Sequence, residues 1–272
     1  MVDRRTLGQA ALALAGAYGA MVALTAGMQR KLIYPAPQPP RSPEPRFGEV
    51  IETTTPDGQK VFTLWSPSSP PGGVVTLFFH GNGEQLADVG LLGERLRRQG
   101  VSVLAVEYPG YGLAASQSPS EAGLFAAGEA AVALLRTRLA VPVERTVITG
   151  HSLGTGVATE MARRGHGVRL ALVSPFTSMG AMAQRLAPFL PGERLIVDRY
   201  DSLARAPSIA MPTLLLHGDL DELIPVTMSR ELVARFPHAT LDEIAGAHHN
   251  DMFAPPHGGR VLQRLVTFLR DG

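Results

Sequence analysis

From about residue 74 to residue 270, short and almost wholly apolar runs rich in β-branched residues alternate with longer amphipathic stretches, which leaves few architectures open. Runs such as Leu170-Ala171-Leu172-Val173 and Leu214-Leu215-Leu216 have no polar face. Both sides of such strands must be covered, which points to a mainly parallel sheet with helices on both faces. Strands are predicted at 49–55, 60–65, 74–79, 101–107, 146–149, 170–173, 213–216 and 240–244, giving an eight-stranded α/β fold. The first two flank Pro56-Asp57-Gly58, a turn signal, and should form an antiparallel hairpin. Helices are predicted at 84–99, 120–138, 152–164, 226–236 and 257–270, with a shorter one near 178–187. At 272 residues and 45% hydrophobic content, the chain can bury one sizeable core. In sheets of this kind functional residues gather at the carboxyl ends of the strands.

The strongest motif stands at such an end. Gly150-His151-Ser152-Leu153-Gly154 follows the strand Thr146-Val147-Ile148-Thr149 and opens a predicted helix. Glycines permit a sharp strand-to-helix turn where larger side chains would clash, so the serine hydroxyl stands exposed above the sheet, facing helix N–H groups that can receive an anion. A serine hydroxyl reacts only if a base takes its proton and an acid orients that base. Both residue types follow in chain order and after strands. His217-Gly218-Asp219-Leu220-Asp221-Glu222 comes first, then Gly246-Ala247-His248-His249-Asn250-Asp251. Charge chemistry alone does not choose between Asp219 and Asp221, or between His248 and His249.

These residues resemble the α/β-hydrolase fold superfamily, and within it the small, N-terminally anchored ABHD12/13/17 (Bem46-like) serine hydrolases. The resemblance spans essentially the whole chain. It is carried by His80-Gly81-Asn82-Gly83, Tyr108-Pro109-Gly110-Tyr111-Gly112, Gly150-His151-Ser152-Leu153-Gly154, Ser174-Pro175-Phe176-Thr177-Ser178, the step from His217 to Pro225, and His249-Asn250-Asp251. It implies Ser152 as nucleophile, Asp221 as acid, being the last residue of a G-x-x-D step, and His249 as base, being the histidine before Asn-Asp. The oxyanion would be held by the backbone N–H groups of Leu153 and Asn82. This chemistry needs no cofactor and no metal. The expected activity is ester hydrolysis through an acyl-enzyme, on a small-molecule or lipid ester or an acyl thioester. Rival readings are a serine aminopeptidase-type peptidase and a membrane-anchored binding protein without catalysis. Of the other motifs, Tyr108 to Gly112 could line a pocket or form a structural turn, and His80 reads as a structural loop residue.

The N-terminus carries a second signal. Residues 6–29 hold no charge and are flanked by Arg4 and Arg5 on one side and Arg30 and Lys31 on the other. That exceeds the roughly 20 residues of helix that cross a bilayer. A membrane span, or a signal segment, is therefore expected over residues 1–31. Basic residues on both sides leave its orientation unassigned, and Asp3-Arg4-Arg5-Thr6-Leu7 partly matches a twin-arginine export signal. Pro35, Pro37, Pro39, Pro40, Pro43 and Pro45 then forbid a helix and predict an extended linker over 32–47, ahead of a domain at 48–272. Residues 175–211 suffice only for a short cap, whose apolar residues suit an acyl chain. A net charge of +1 gives no basic footprint for nucleic acid. The absence of cysteine excludes disulfides, thiolate metal sites and a Cys nucleophile.

Overall fold

The computed structural model describes residues 4–70 and 72–271. Residues 1–3, including Asp3 of the export-like run, lie outside the described residues. One eight-stranded sheet runs in the order β1-β2-β4-β3-β5-β6-β7-β8. The strands are β1 (Glu49–Thr54), β2 (Lys60–Ser66), β3 (Val75–Phe79), β4 (Ser102–Val106), β5 (Thr146–His151), β6 (Arg169–Val173), β7 (Thr213–Gly218) and β8 (Ala239–Ile244). β1 and β2 form the expected antiparallel hairpin, and β2 also runs antiparallel to β4. All pairings from β4 to β8 are parallel, so the carboxyl ends of these strands share one edge.

Side chains alternate between two hydrophobic layers, as the period of two in a pleated strand requires. In β6, Leu170 and Leu172 enter one layer, while Ala171 and Val173 enter the other. The first layer is closed by α3 (Glu121–Thr137), α4 (Leu153–Arg163) and α8 (Val226–Val233), and the second by α2 (Leu86–Arg98) and α9 (Gly258–Asp271). Val261, Leu265 and Leu269 of α9 lie at i, i+4 and i+8 and are all buried. Burial of each is worth roughly 1.5–3 kcal/mol. Beyond β6 a short cap holds α5 (Met179–Leu186), α6 (Gly192–Leu195) and α7 (Ser202–Arg205). Of these, only α5 was expected.

The N-terminal α1 (Arg4–Ile33) contains a window of mean hydropathy 1.6 within Leu7–Ile33, long and apolar enough to cross a membrane. It ends just ahead of Pro35, because the residue before a proline is disfavoured in helical geometry. The proline segment is not a free spacer. Its backbone is non-helical to Glu44, then turns once at Pro45–Phe47, and Phe47 is buried. A Cβ at Gly90 of α2 would lie 2.4 Å from the Phe47 ring, so α2 accepts this ring only because Gly90 has no side chain. Arg41 N–H donates to Gln85 Oε1 at 2.9 Å, and its guanidinium pairs with Asp88. Composition foretold an extended backbone here but not the aromatic ring that straps it to the domain.

α1 itself is fastened to the cap. Tyr18 Oη donates to Phe189 O (2.9 Å), Val197 N–H to Gln29 Oε1 (2.8 Å), and Arg30 Nε to Asp198 Oδ2 (3.0 Å). The other oxygen of Asp198 accepts Glu121 N–H at 3.1 Å, so one carboxylate ties α1 and the cap to the start of α3.

Candidate active site

Ser152 sits between β5 and α4 at φ +50° and ψ −119°, left-handed backbone that costs a non-glycine residue about 1–3 kcal/mol. The turn is over-determined. Ser152 N–H donates to Val173 O (2.9 Å), and Thr155 donates to Ser152 O through both its N–H (2.9 Å) and its hydroxyl (2.6 Å). A Cβ at Gly154 would lie 2.1 Å from Phe79 O, so only glycine lets α4 start this close to β3.

His249 and Asp221, from loops after β8 and β7, converge on the serine. His249 Nε2 lies 3.0 Å from Ser152 Oγ, and its Nδ1 lies 2.7 Å from Asp221 Oδ2. With the Nδ1 proton given to the carboxylate, Nε2 is left to accept the serine hydroxyl. All three residues are buried. Asp221 Oδ1 accepts the N–H groups of Leu223 (3.0 Å) and Ile224 (2.7 Å), and His217 Nε2 lies 3.2 Å from Oδ2. Burial pushes this carboxyl up, but the hydrogen bonds from His217, His249 and the Ile224 N–H outweigh it and hold Asp221 well below the usual carboxylate range. The carboxylate therefore stays an acceptor at neutral pH.

The alternatives do other work. Asp219 Oδ1 accepts Gly246 N–H at 2.7 Å and braces the two loops against each other. His248 is exposed and pairs with Glu222 at 3.0 Å, while its N–H donates to Asp251 Oδ1 at 2.8 Å. The Asn-Asp after His249 thus supplies the carboxylate that caps the turn presenting the histidine. His80 is fully buried on Glu107, and Tyr108 and Tyr111 pack on its ring, so that motif is structural here.

The backbone N–H groups of Asn82, in the loop after β3, and of Leu153, the first residue of α4, are the two expected at the oxyanion. Among the described residues neither donates to a backbone carbonyl. The Asn82 loop is held by Glu84, whose Oε2 accepts Gly81 N–H (2.6 Å) and the Nδ1 proton of His151 (3.0 Å). Burial raises the Glu84 carboxyl, but the nearby His151 and these hydrogen bonds bring it down to about 2. The His151 ring stacks on His249 at 5.9 Å, and its buried Nε2 has no partner among the described residues. Sequence reading assigned no role to Glu84, His151 or His217. Only their positions beside motif residues carried a signal.

Two cavities meet at Ser152. The first, of about 280 Å³, is apolar and reaches Met182, Leu186, Leu190 and Ile196 of the cap. Its far wall is Thr25, Ala26, Gln29, Leu32 and Ile33 of α1. The second, of about 170 Å³, is more polar and is lined by Glu84, His151, His249 and Asn250. Among the described residues no cluster of His, Asp or Glu could hold a metal ion.

Residues 76–210 match the alpha/beta hydrolase family. An uncharacterized protein of Mycobacterium tuberculosis is 34% identical over 228 residues, covering 82% of this chain and 81% of that protein. The Homo sapiens alpha/beta hydrolase domain-containing protein 17B is 30% identical over 226 residues, covering 81% and 75%. Among solved structures, a Paleococcus ferrophilus monoacylglycerol lipase superposes with a TM-score of 0.59 at 22% identity, over 77% of this chain and 98% of that one. At that identity the likeness is one of fold.

Proposed function

The chain belongs to the alpha/beta hydrolase family, and we propose that it is a serine hydrolase cleaving carboxylic esters of lipid-like acyl chains at a membrane. One observation carries this reading: the His249 imidazole is bonded at both nitrogens, to Ser152 Oγ at 3.0 Å and to Asp221 at 2.7 Å. Ser152 Oγ attacks the ester carbonyl carbon while His249 Nε2 takes its proton, and Asp221 stabilises the imidazolium. The tetrahedral oxyanion lies against the N–H groups of Leu153 and Asn82. The carbon–oxygen bond to the alcohol then breaks, and His249 returns the proton to the leaving oxygen. A water, deprotonated by His249, attacks the acyl-serine and releases the carboxylic acid with Ser152 restored.

The two cavities suit the two halves of such a substrate: an apolar one for the acyl chain and a polar one for the alcohol. The apolar length of α1 supports membrane attachment. The full chain in detergent should be labelled by a fluorophosphonate probe and should hydrolyse p-nitrophenyl esters between acetate and palmitate, with both lost in Ser152→Ala. A folded wild type that takes no label overturns the reading. Faster release of amino acids from short peptides than of p-nitrophenol would replace it with a peptidase.

A further inference from the structure

We propose that α1 is a wall of the acyl site, so that a membrane lipid's acyl chain reaches Ser152 along this helix without leaving the apolar phase. This rests on the ester-hydrolase reading above. The cavity beside Ser152 is closed on one side by Thr25, Ala26, Gln29, Leu32 and Ile33, from the last turns of α1. The polar groups on this wall are already bonded. Thr25 Oγ1 donates to Met21 O (2.9 Å) and Gln29 Nε2 to Ala26 O (2.8 Å), while Gln29 Oε1 accepts Val197 N–H (2.8 Å). What they leave facing the cavity is apolar, and burying an unpaired polar group of a ligand there would be costly. An unbranched acyl chain is the ligand class that fits.

Length supports the same arrangement. The uncharged stretch of α1, residues 7–29, spans roughly 35 Å at about 1.5 Å per residue, against about 30 Å of bilayer hydrocarbon. About one turn of uncharged helix therefore exceeds what lipid needs to cover, and the domain takes up the end of α1, where Arg30 pairs with Asp198. The cap also reaches towards the bilayer. Tyr18, in the middle of the apolar stretch, bonds Phe189 O, so the cap tip stands level with the part of α1 that lipid would surround. There Leu186, Phe189 and Val197 are 68%, 62% and 65% exposed, and exposed Leu32 of α1 lines the same cavity as Leu186. The occupant that covers this tip is the bilayer itself, because the patch is continuous with the helix that crosses it. Leu186 belongs both to the patch and to the cavity lining, which places the entrance at the lipid surface.

The test uses the full chain in phosphatidylcholine nanodiscs. With Ser152→Ala, a monoacylglycerol carrying a diazirine on its acyl chain should cross-link to peptides covering residues 25–33 and 179–196. Adding Ala26→Trp, or the milder Thr25→Phe, should cut those cross-links about tenfold, whereas Leu12→Trp on the same helix should not. In the active chain, the ratio of kcat/KM for p-nitrophenyl laurate to that for the acetate should fall about tenfold in Ala26→Trp or Thr25→Phe. Cross-links confined to residues 7–24, or yields and ratios unmoved by both pocket variants, would overturn the proposal. A wild type that takes no fluorophosphonate label overturns the hydrolase reading instead, and the cross-link map then still decides whether α1 lines the cavity.

Discussion

The hydroxyls of Tyr34 and Tyr200 lie 2.9 Å apart in a buried hydrogen bond that joins the exit of α1 to the cap across 166 residues of sequence. Burial pushes both phenols well above the usual tyrosine range, so the pair is neutral wherever the protein is folded. Tyr200 is held at φ +42°, with its N–H on Glu121 Oε1 at 3.0 Å, and is fully buried.

Tyr34→Phe leaves the Tyr200 hydroxyl buried without a partner and should cost about 1–3 kcal/mol of stability. Adding Tyr200→Phe removes the orphan, so the double variant should lose less than the sum of the single losses. Thermal unfolding of the four chains in one detergent measures this. Strict additivity would show that the hydroxyls do not interact.

Asp221→Asn should lower kcat for p-nitrophenyl butyrate by about 10⁴-fold, because the amide would favour the wrong tautomer of His249. Asp219→Asn, which touches only the Gly246 N–H, should stay within a few-fold of wild type. A large loss from Asp219→Asn with little from Asp221→Asn would reverse the assignment.

Glu84→Ala should free the loop that presents the Asn82 amide and lower kcat roughly 10–100-fold, the scale on which small misplacements act. Glu84→Gln keeps an acceptor for Gly81 N–H and should recover much of that loss. Equal losses in the two variants would mean that charge, and not loop position, is what Glu84 contributes.

Glu160 on α4 is buried and accepts from Arg163 (2.7 and 2.9 Å), Arg164 (2.8 Å) and Arg205 (2.9 Å). Burial raises its carboxyl, but the hydrogen bonds from Arg163 and Arg164 and the charge of Arg205 bring it down to about 2. A depressed carboxyl stabilises the fold above its unfolded value, near 4.5, and that share is lost as pH falls towards 2. Glu160→Gln should therefore melt lower at pH 7, by about 3–5 kcal/mol, and approach wild type at pH 2.5. Parallel melting curves from pH 7 to 2.5 would contradict the depressed carboxyl.

The central strands were legible because they are apolar on both faces, and every observed strand boundary falls within about two residues of its expected place. The serine turn was legible for a local reason: five consecutive residues determine it. Charge chemistry alone left Asp219 and Asp221 open, since both follow β7, and only the family resemblance named Asp221; in the structure it is Asp221 that lies 2.7 Å from His249, while Asp219 accepts Gly246 N–H. α6 and α7 are four residues each, too short for a helical period to register. The docking of α1 on the cap was invisible because its partners are more than 160 residues apart and most are backbone carbonyls or amides, which a sequence does not distinguish.

A fragment cut just after α1 for ease of handling would lose one side of its own cavity. The Asp198 carboxylate would give up its Arg30 partner, and the trough from Met182 to Ser152 would open to water. On the proposed ester-hydrolase reading, a substrate screen run on such a fragment would report the preferences of the cut and not those of the intact protein.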